Sequence, residues 1–365
     1  MGKEREPIRS GRGKDGGYLA PIIEIELKGQ SRIAKVYDPK TKIMVSAEYE
    51  NYDLVTRTVT SRVVERYDPD NGALVLQIGE IYKNSRLSSR EYTEYDPDTG
   101  NFILRKREEC DPANRSLILS IVRRYDKAGK LASKEIRTIN SVAKKLVSWE
   151  FEQYDPNNPN DPEGAVTRVL WKYEEYSTKT GKLTLKKVLK FDHNTRMRTS
   201  LKVKEYDRKT GKLILRKVEE YDPETGEPTS CKIKKYDPET ETRTLEEVTK
   251  YDPETGKLTL RSVEKYDPKT GRLILREVTK YDPRTGKQTL TKAETYDPKT
   301  GKPTSREITE YDPETRELTL LTIIKYNPKT GKPTSQKITK YDPKTGEQIS
   351  QTVQRYDPKT GEPIS

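Results

Sequence analysis

The sequence predicts an all-β protein, a long antiparallel β-meander of about 20 strands built from 15-residue repeats. Three observations carry that expectation. A unit of the form Tyr-Asp-Pro-x-Thr-Gly-Lys-Leu recurs every 15 residues, as in KYDPETGKLTLRSVEKYDP. Proline and glycine punctuate each unit too closely for helices of ordinary length. Between these marks lie stretches rich in Leu, Thr, Val and Tyr with alternating charge, which is strand composition.

Of the 365 residues, 30% are hydrophobic and 36% charged, a balance that by itself admits disorder. Fixed spacing of the apolar residues and the mixed sign of the charge, 71 basic against 59 acidic, favour an ordered repeat. The net charge of +12 suits acidic partners, nucleic acid or an anionic membrane surface, and equally describes a solvated face on which the two signs interleave. Abundant Lys, Glu and Arg lean toward a thermophile-like composition. The two cysteines, Cys110 and Cys231, are too few for a disulfide framework, and Cys110 stands in a Tyr slot as a small apolar substitute. Neither a signal peptide nor a transmembrane segment is recognisable, so the expected location is intracellular or within an assembled particle.

The tyrosine slot falls at Tyr206, Tyr221, Tyr236, Tyr251, Tyr266, Tyr281 and onward to Tyr356 at a constant step of 15. Earlier, Phe191 and Tyr176 keep the step, and Tyr154, Tyr125, Cys110, Tyr95, Tyr82, Tyr67, Tyr52 and Tyr37 continue it less regularly, with a step of 13 between Tyr82 and Tyr95 and a degenerate unit near Ile139. The organisation is therefore a flexible basic tail over 1–17, an N-terminal strand or cap over 18–36, diverged repeats over 37–175 with a loop insertion near 157–164, and regular repeats over 176–365.

Each unit divides into a turn and a strand. In YDPETGK, the Asp252 carboxylate can accept backbone N–H bonds, Pro253 presets the next φ, and Gly256 supplies the positive φ that closes the loop. Gly271 does the same one unit later. A hairpin closed between Asp252 and Lys257 sets Tyr251 opposite Leu258, and the next unit repeats the pair as Tyr266 and Leu273. Simple alternation would place Leu258, Leu260, Ser262, Glu264 and Tyr266 on one face, and two Tyr/Leu stripes would flank a charged middle.

The odd step conflicts with that picture. Tyr251 and Leu258 should form a non-hydrogen-bonded pair, and so should the pair at the other end of the strand. Leu258 and Tyr266 lie an even number of residues apart, so an unbroken pleat cannot satisfy both ends. Either a one-residue β-bulge in most strands or a looser turn resolves it. The need to pair backbone groups favours the bulge, and bulges predict a twisted, coiled and extended sheet. Pro228, Pro303, Pro333 and Pro363 replace the Leu after the turn, where a missing ladder donor fits a strand end or bulge. An uncapped end strand offers an edge for another chain.

Individual turns resemble the designed hairpin chignolin, whose turn is also Tyr-Asp-Pro-Glu-Thr-Gly, and this implies chain reversal. YDKAGKL at Tyr125 resembles the Tyr-Asp-x-x-Gly-x-Leu signature of YD (RHS) repeats, a family of large β-sheet shells around toxin cargo. Most units carry one more residue before Gly, and the step is shorter, so the resemblance implies the β-array alone. Extended single-layer sheets of spirochaete outer-surface proteins are a comparable architecture.

Few residues suggest chemistry. His193 in FDHNTRM is the single histidine, best read as a turn residue. Asp155, Asn157, Asn158, Asn160, Asp161 and Glu163 form an oxygen-rich loop that could hold calcium, but without EF-hand spacing. No carboxylate pair stands out, so no catalytic residue, cofactor, metal or small-molecule substrate is expected. The expectation is a non-enzymatic structural repeat protein: a strut, ruler or glue in a filament, sheath or virus-like shell. Its partners would be other protein subunits, including copies of itself through edge strands. The alternatives are a repeat module binding nucleic acid or another polyanion, then a surface adhesin.

Overall fold

The computed structural model describes residues 20–114, 116–155 and 167–364. Every regular element among them is a β-strand, and consecutive strands run antiparallel. Two compact units divide the chain, Met1–Gly181 and Lys182–Ser365. The first holds eleven strands, from β1 (Ile22–Lys28) to β11 (Thr167–Tyr176). The second holds thirteen, from β12 (Leu183–Phe191) to β24 (Pro363–Ile364). Within each unit strands contact only their sequence neighbours, so each is an open, single-layer meander that does not close into a barrel.

The all-β meander is as expected, with 24 strands in place of about twenty. Part of the excess lies at the start. The cap is a hairpin, β1 with β2 (Ser31–Tyr37), reversing at Gly29 with φ +57°. The unit near Ile139 is a genuine one, with Ile139 opposite Leu146 in the place of Tyr and Leu. The basic tail and the oxygen-rich loop from Asn157 to Glu163 lie outside the described residues.

Each hairpin repeats one register. Between β16 (Arg243–Tyr251) and β17 (Leu258–Tyr266), Tyr251 lies opposite Leu258, but Lys250 lies opposite Leu260. Thr259 is the unpartnered extra residue, a β-bulge. The same shift occurs just before Tyr206, Tyr221, Tyr236, Tyr266, Tyr281 and Tyr296. The bulge therefore removes the conflict of the odd step. A threonine stabilises it: the Thr259 hydroxyl donates to the Lys250 carbonyl at 3.1 Å, as Thr229 does to Glu220 and Thr334 to Lys325.

The bulge corrects the expected faces. Cross-strand partners share a face and neighbours along a strand alternate. Leu260, Ser262, Glu264 and Tyr266 remain together, but Leu258 pairs with Tyr251 and lies on the opposite face. The two Tyr/Leu stripes consequently occupy opposite faces as well as opposite edges. In the second unit one face carries Tyr206, Tyr236, Tyr266 and Tyr296, and the other carries Tyr221, Tyr251 and Tyr281.

Irregular steps are changes of turn. Between β5 (Leu74–Lys83) and β6 (Arg86–Tyr95) a two-residue reversal, Asn84-Ser85, has both φ angles positive, as a tight hairpin of this hand needs. It is two residues shorter than the usual loop, which accounts for the step of 13. The loop after Tyr125 is one residue shorter, and Leu131 takes the position opposite that tyrosine.

Neither face builds a thick core. Among the described residues, Ala47 and Val263 are the buried apolar ones, and the rest of the buried set is Thr, Ser and Glu, including Glu80, Glu152 and Glu294. Stability must come from ladder hydrogen bonds, cross-strand pairs and the covering stems of long charged side chains.

The loop position before the second strand takes φ near +70° whether or not it is glycine. It is Gly256 at +66° and Gly271 at +69°, but Glu241 at +61° and Arg316 at +72°. A side chain there works against its own backbone. Glu241→Gly and Arg316→Gly should each stabilise the second unit by about 0.5–1 kcal/mol, and Gly256→Ala should destabilise it by about 1 kcal/mol. Thermal melts followed by circular dichroism would read both signs.

Candidate functional site

The chemistry of this chain is concentrated at the two edges of each sheet, where turn and tyrosine meet. In the turn after Tyr251, Asp252 N–H donates to Lys257 C=O and Gly256 N–H donates back to Asp252 C=O, both at 2.8 Å. The Asp252 Oδ1 accepts from Thr255 N–H at 2.8 Å, from Glu254 N–H at 3.2 Å and from the Thr255 hydroxyl at 3.0 Å. Pro253 occupies the one loop position whose N–H has no bond to make. These bonds, led by the Thr255 N–H and then its hydroxyl, hold the Asp252 carboxyl below the usual range. Asp207, Asp222, Asp267 and Asp297 are lowered in the same way, each first by the N–H of the threonine three residues on.

The turns on one edge are also tied to each other. Lys257 Nζ donates to Arg284 C=O at 2.5 Å, and Thr255 Oγ1 reaches Pro283 C=O at 3.0 Å, both in the next turn along that edge. Lys182 reaches Lys209, Lys212 reaches Glu239, and Lys332 reaches Thr360 by the same geometry. In the first unit other side chains do this work: Arg86 to Pro112, Asn71 to Pro97 and Asn101 to Lys127. The lysine after Gly is therefore an edge tie, a role that sequence reasoning missed. Its signal was a cation following Gly in unit after unit.

Beside the turns run the tyrosine stripes. Tyr206 faces Leu213, Tyr221 faces Pro228, Tyr251 faces Leu258, Tyr266 faces Leu273 and Tyr281 faces Gln288. At some of these positions the opposing residue also reaches the next tyrosine on its edge. Phe102 lies 5.5 Å from the Tyr95 ring centroid and 5.6 Å from that of Tyr125, and the Arg243 guanidinium sits 4.2 Å over Tyr266. Proline fits this position because its nitrogen points away from the closing pair of the hairpin.

A second missed element is a glutamate two residues before the tyrosine, on the same face. Tyr221 donates to Glu219 at 2.9 Å, Tyr296 to Glu294 at 2.8 Å and Tyr52 to Glu50 at 2.6 Å, and Tyr266 makes the same bond with Glu264. Burial, then the carboxylate bond, pushes the Tyr221 and Tyr266 phenols up to about 12.

The remaining candidates stay apart. Cys110 faces Leu117 in its Tyr slot, and burial pushes its thiol up. Cys231 lies between Glu219 and Thr249, and burial raises it likewise. Both are free. His193 occupies the loop closed by Asp192 and Met197. Among the described residues, no three His, Cys, Asp or Glu side chains gather as a metal site.

No protein-family model matches the chain, and no curated protein matches it. Solved structures overlap it weakly. TcdB2-TccC3-TEV is 12% identical over 90% of this chain, with a TM-score of 0.20. This chain spans only 19% of that one. A Bacteroides fragilis protein of unknown function is 18% identical over 44% of this chain and 91% of its own, with a TM-score of 0.14. A europium-containing methanol dehydrogenase is 12% identical over 93% of this chain and 70% of its own, at 0.12. Scores this low do not establish a common fold, so the class of protein rests on the repeat itself: an all-β tandem-repeat protein.

The two shifted groups set opposite limits on stability. Turn carboxyls with lowered values add stability that is complete above the unfolded value of about 3.9. It is lost as the pH falls through the lower folded values. Tyrosines with raised values add stability that is complete below about 10 and lost as the pH rises toward about 12. Urea midpoints measured from pH 2 to 12 should therefore drop at both ends. Tyr221→Phe with Tyr266→Phe should reduce the alkaline drop and leave the acid one unchanged.

Proposed function

We propose that this is a non-enzymatic structural repeat protein, a strut, ruler or glue within a larger assembly. The observation that supports this reading most is the unvarying join between units. Turn, bulge and the pair beside the turn recur with one geometry through the second unit, so adding a two-strand period lengthens the sheet and alters nothing else. Size in such a unit is written in repeat number. Thirteen strands set the second unit at roughly 60 Å across its ladders.

The partners in this reading are other protein subunits, met along sheet edges or faces. Strand β1, IIEIELK, displays Ile22, Ile25 and Leu27 beside acidic residues and pairs with β2. A strand of that composition can be extended by pairing with another chain.

Deleting Asp252 to Tyr281, one complete two-strand period, should leave a folded protein whose second unit is about 10 Å shorter. Electron microscopy of the full chain and its deletion variant would measure the difference. Unfolding or an unchanged dimension would contradict the ruler. The assembly itself is tested by imaging the native source: the chain should lie in an ordered array, and a dispersed monomer there would count against the reading.

A further inference from the structure

One face of the second unit carries a stretch of directly opposed like charges. On the face of Tyr266 and Tyr296, the position two residues before tyrosine and its cross-strand partners form a row perpendicular to the strands. From Glu264 to Arg306 that row alternates in sign: Glu264 faces Arg276, Arg276 faces Glu294 and Glu294 faces Arg306. Beyond Arg306 the row is uncharged, with Ile324, Gln336 and Gln354. Ion pairs follow at 2.9 Å for Arg276–Glu264 and 2.7 Å for Arg306–Glu294.

Further back the row becomes wholly basic. Lys186 on β12 faces Lys204 on β13 (Arg198–Tyr206), which faces Arg216 on β14 (Leu213–Tyr221). Arg216 then faces Lys234 on β15 (Pro228–Tyr236). Directly opposed like charges destabilise a sheet, so this stretch works against the fold. Lys202 and Lys232 lie one step along on the same face, separated by Val218. At the end of the basic stretch Glu246, itself facing Glu264, is shared by Lys232 at 2.7 Å, Lys234 at 3.4 Å and Arg243, and Glu220 lies one step beyond Val218 on the same face. A shallow pocket of about 200 Å³ is lined by Arg216, Val218, Lys232 and Lys234.

A second observation coincides with the row. Tyr221, Tyr266 and Tyr296 donate to a glutamate two residues earlier, whereas Tyr206 and Tyr236 have Lys204 and Lys234 at that position. Both phenols stand beside the cations on the same face, without the carboxylate that occupies Tyr266 and Tyr296.

We infer that this face binds single-stranded nucleic acid, with phosphates neutralised along the Lys204–Arg216–Lys234 row and bases against Tyr206 and Tyr236. On this row Lys204, Arg216 and Lys234 face one another, and Glu246 is the carboxylate that Lys232 and Lys234 share. Aromatic rings beside a cationic track are what a single strand uses and an acidic peptide does not need. A duplex is disfavoured because this flat face projects nothing into a groove. The inference is independent of the strut reading, since a strut can carry a strand or not.

The experiment measures binding of a fluorescent oligo-dT to the full-length protein by anisotropy, across a salt series. Five cations, Lys202, Lys204, Arg216, Lys232 and Lys234, should give a log–log salt slope of about −3.5. Lys204→Glu with Lys234→Glu should weaken binding more than about tenfold, since two cations are replaced by anions. Lys204→Glu alone sets an anion between Lys186 and Arg216, as Glu294 stands between Arg276 and Arg306, and should raise the thermal midpoint. The milder Lys202→Gln should weaken binding and leave the melt unchanged. No binding at about 50 mM salt, unchanged binding by the double glutamate variant, or equal affinity for poly-Glu or duplex DNA would each overturn the inference.

Discussion

The repeat length is odd, and the molecule is organised around that parity. An antiparallel strand must return its hydrogen-bonding groups to the same sense at both ends if identical turns are to close it. Fifteen residues cannot do this without one residue that stands outside the ladder. Thr259 and its equivalents are that residue, and a side-chain hydroxyl anchors the opposite carbonyl where the pleat is interrupted. Once the bulge is present, everything else about the unit follows: which face a tyrosine takes, which turn its neighbours touch, and where charges meet.

A sheet with water on both faces must find stability outside a hydrophobic core. Here it is spread over many small terms. Aspartate and threonine close the turns, in many units a lysine joins one turn to the next on its edge, and a tyrosine covers the residue opposite and in several units donates to a glutamate. Each term is modest, on the order of 1 kcal/mol or less, but such terms recur along the chain. The loss of one slot is tolerated for the same reason. Cys110, Ile139 and Phe191 replace tyrosine without altering the register of their strands.

The same economy makes exceptions informative. Where neighbouring units set Glu against Arg, a stretch that opposes cation to cation works against the sheet's own stability. The substitution of Lys for Glu at 204 and 234 is invisible as a pattern along the chain, where lysine is common. It becomes conspicuous only when strands are set side by side, because Lys204, Arg216 and Lys234 are far apart in sequence and adjacent on the sheet.

The sequence alone determined the strand and turn alternation, the Tyr251–Leu258 pairing and the need for a bulge, because each is local and rests on φ preferences and the parity of a pleat. It also showed that few residues were candidates for catalysis. What only the tertiary structure decided is where the bulge sits, and hence that Leu258 leaves the face of Leu260 and Tyr266. Its position depends on the register of two strands, a cross-strand property that no single strand records. The edge ties from Lys257 to Arg284 and the basic row were decided there too, since they join residues two strands apart or on successive strands. Hydrogen bonds within a turn can be read from its own six residues; contacts between turns require the sheet that aligns them.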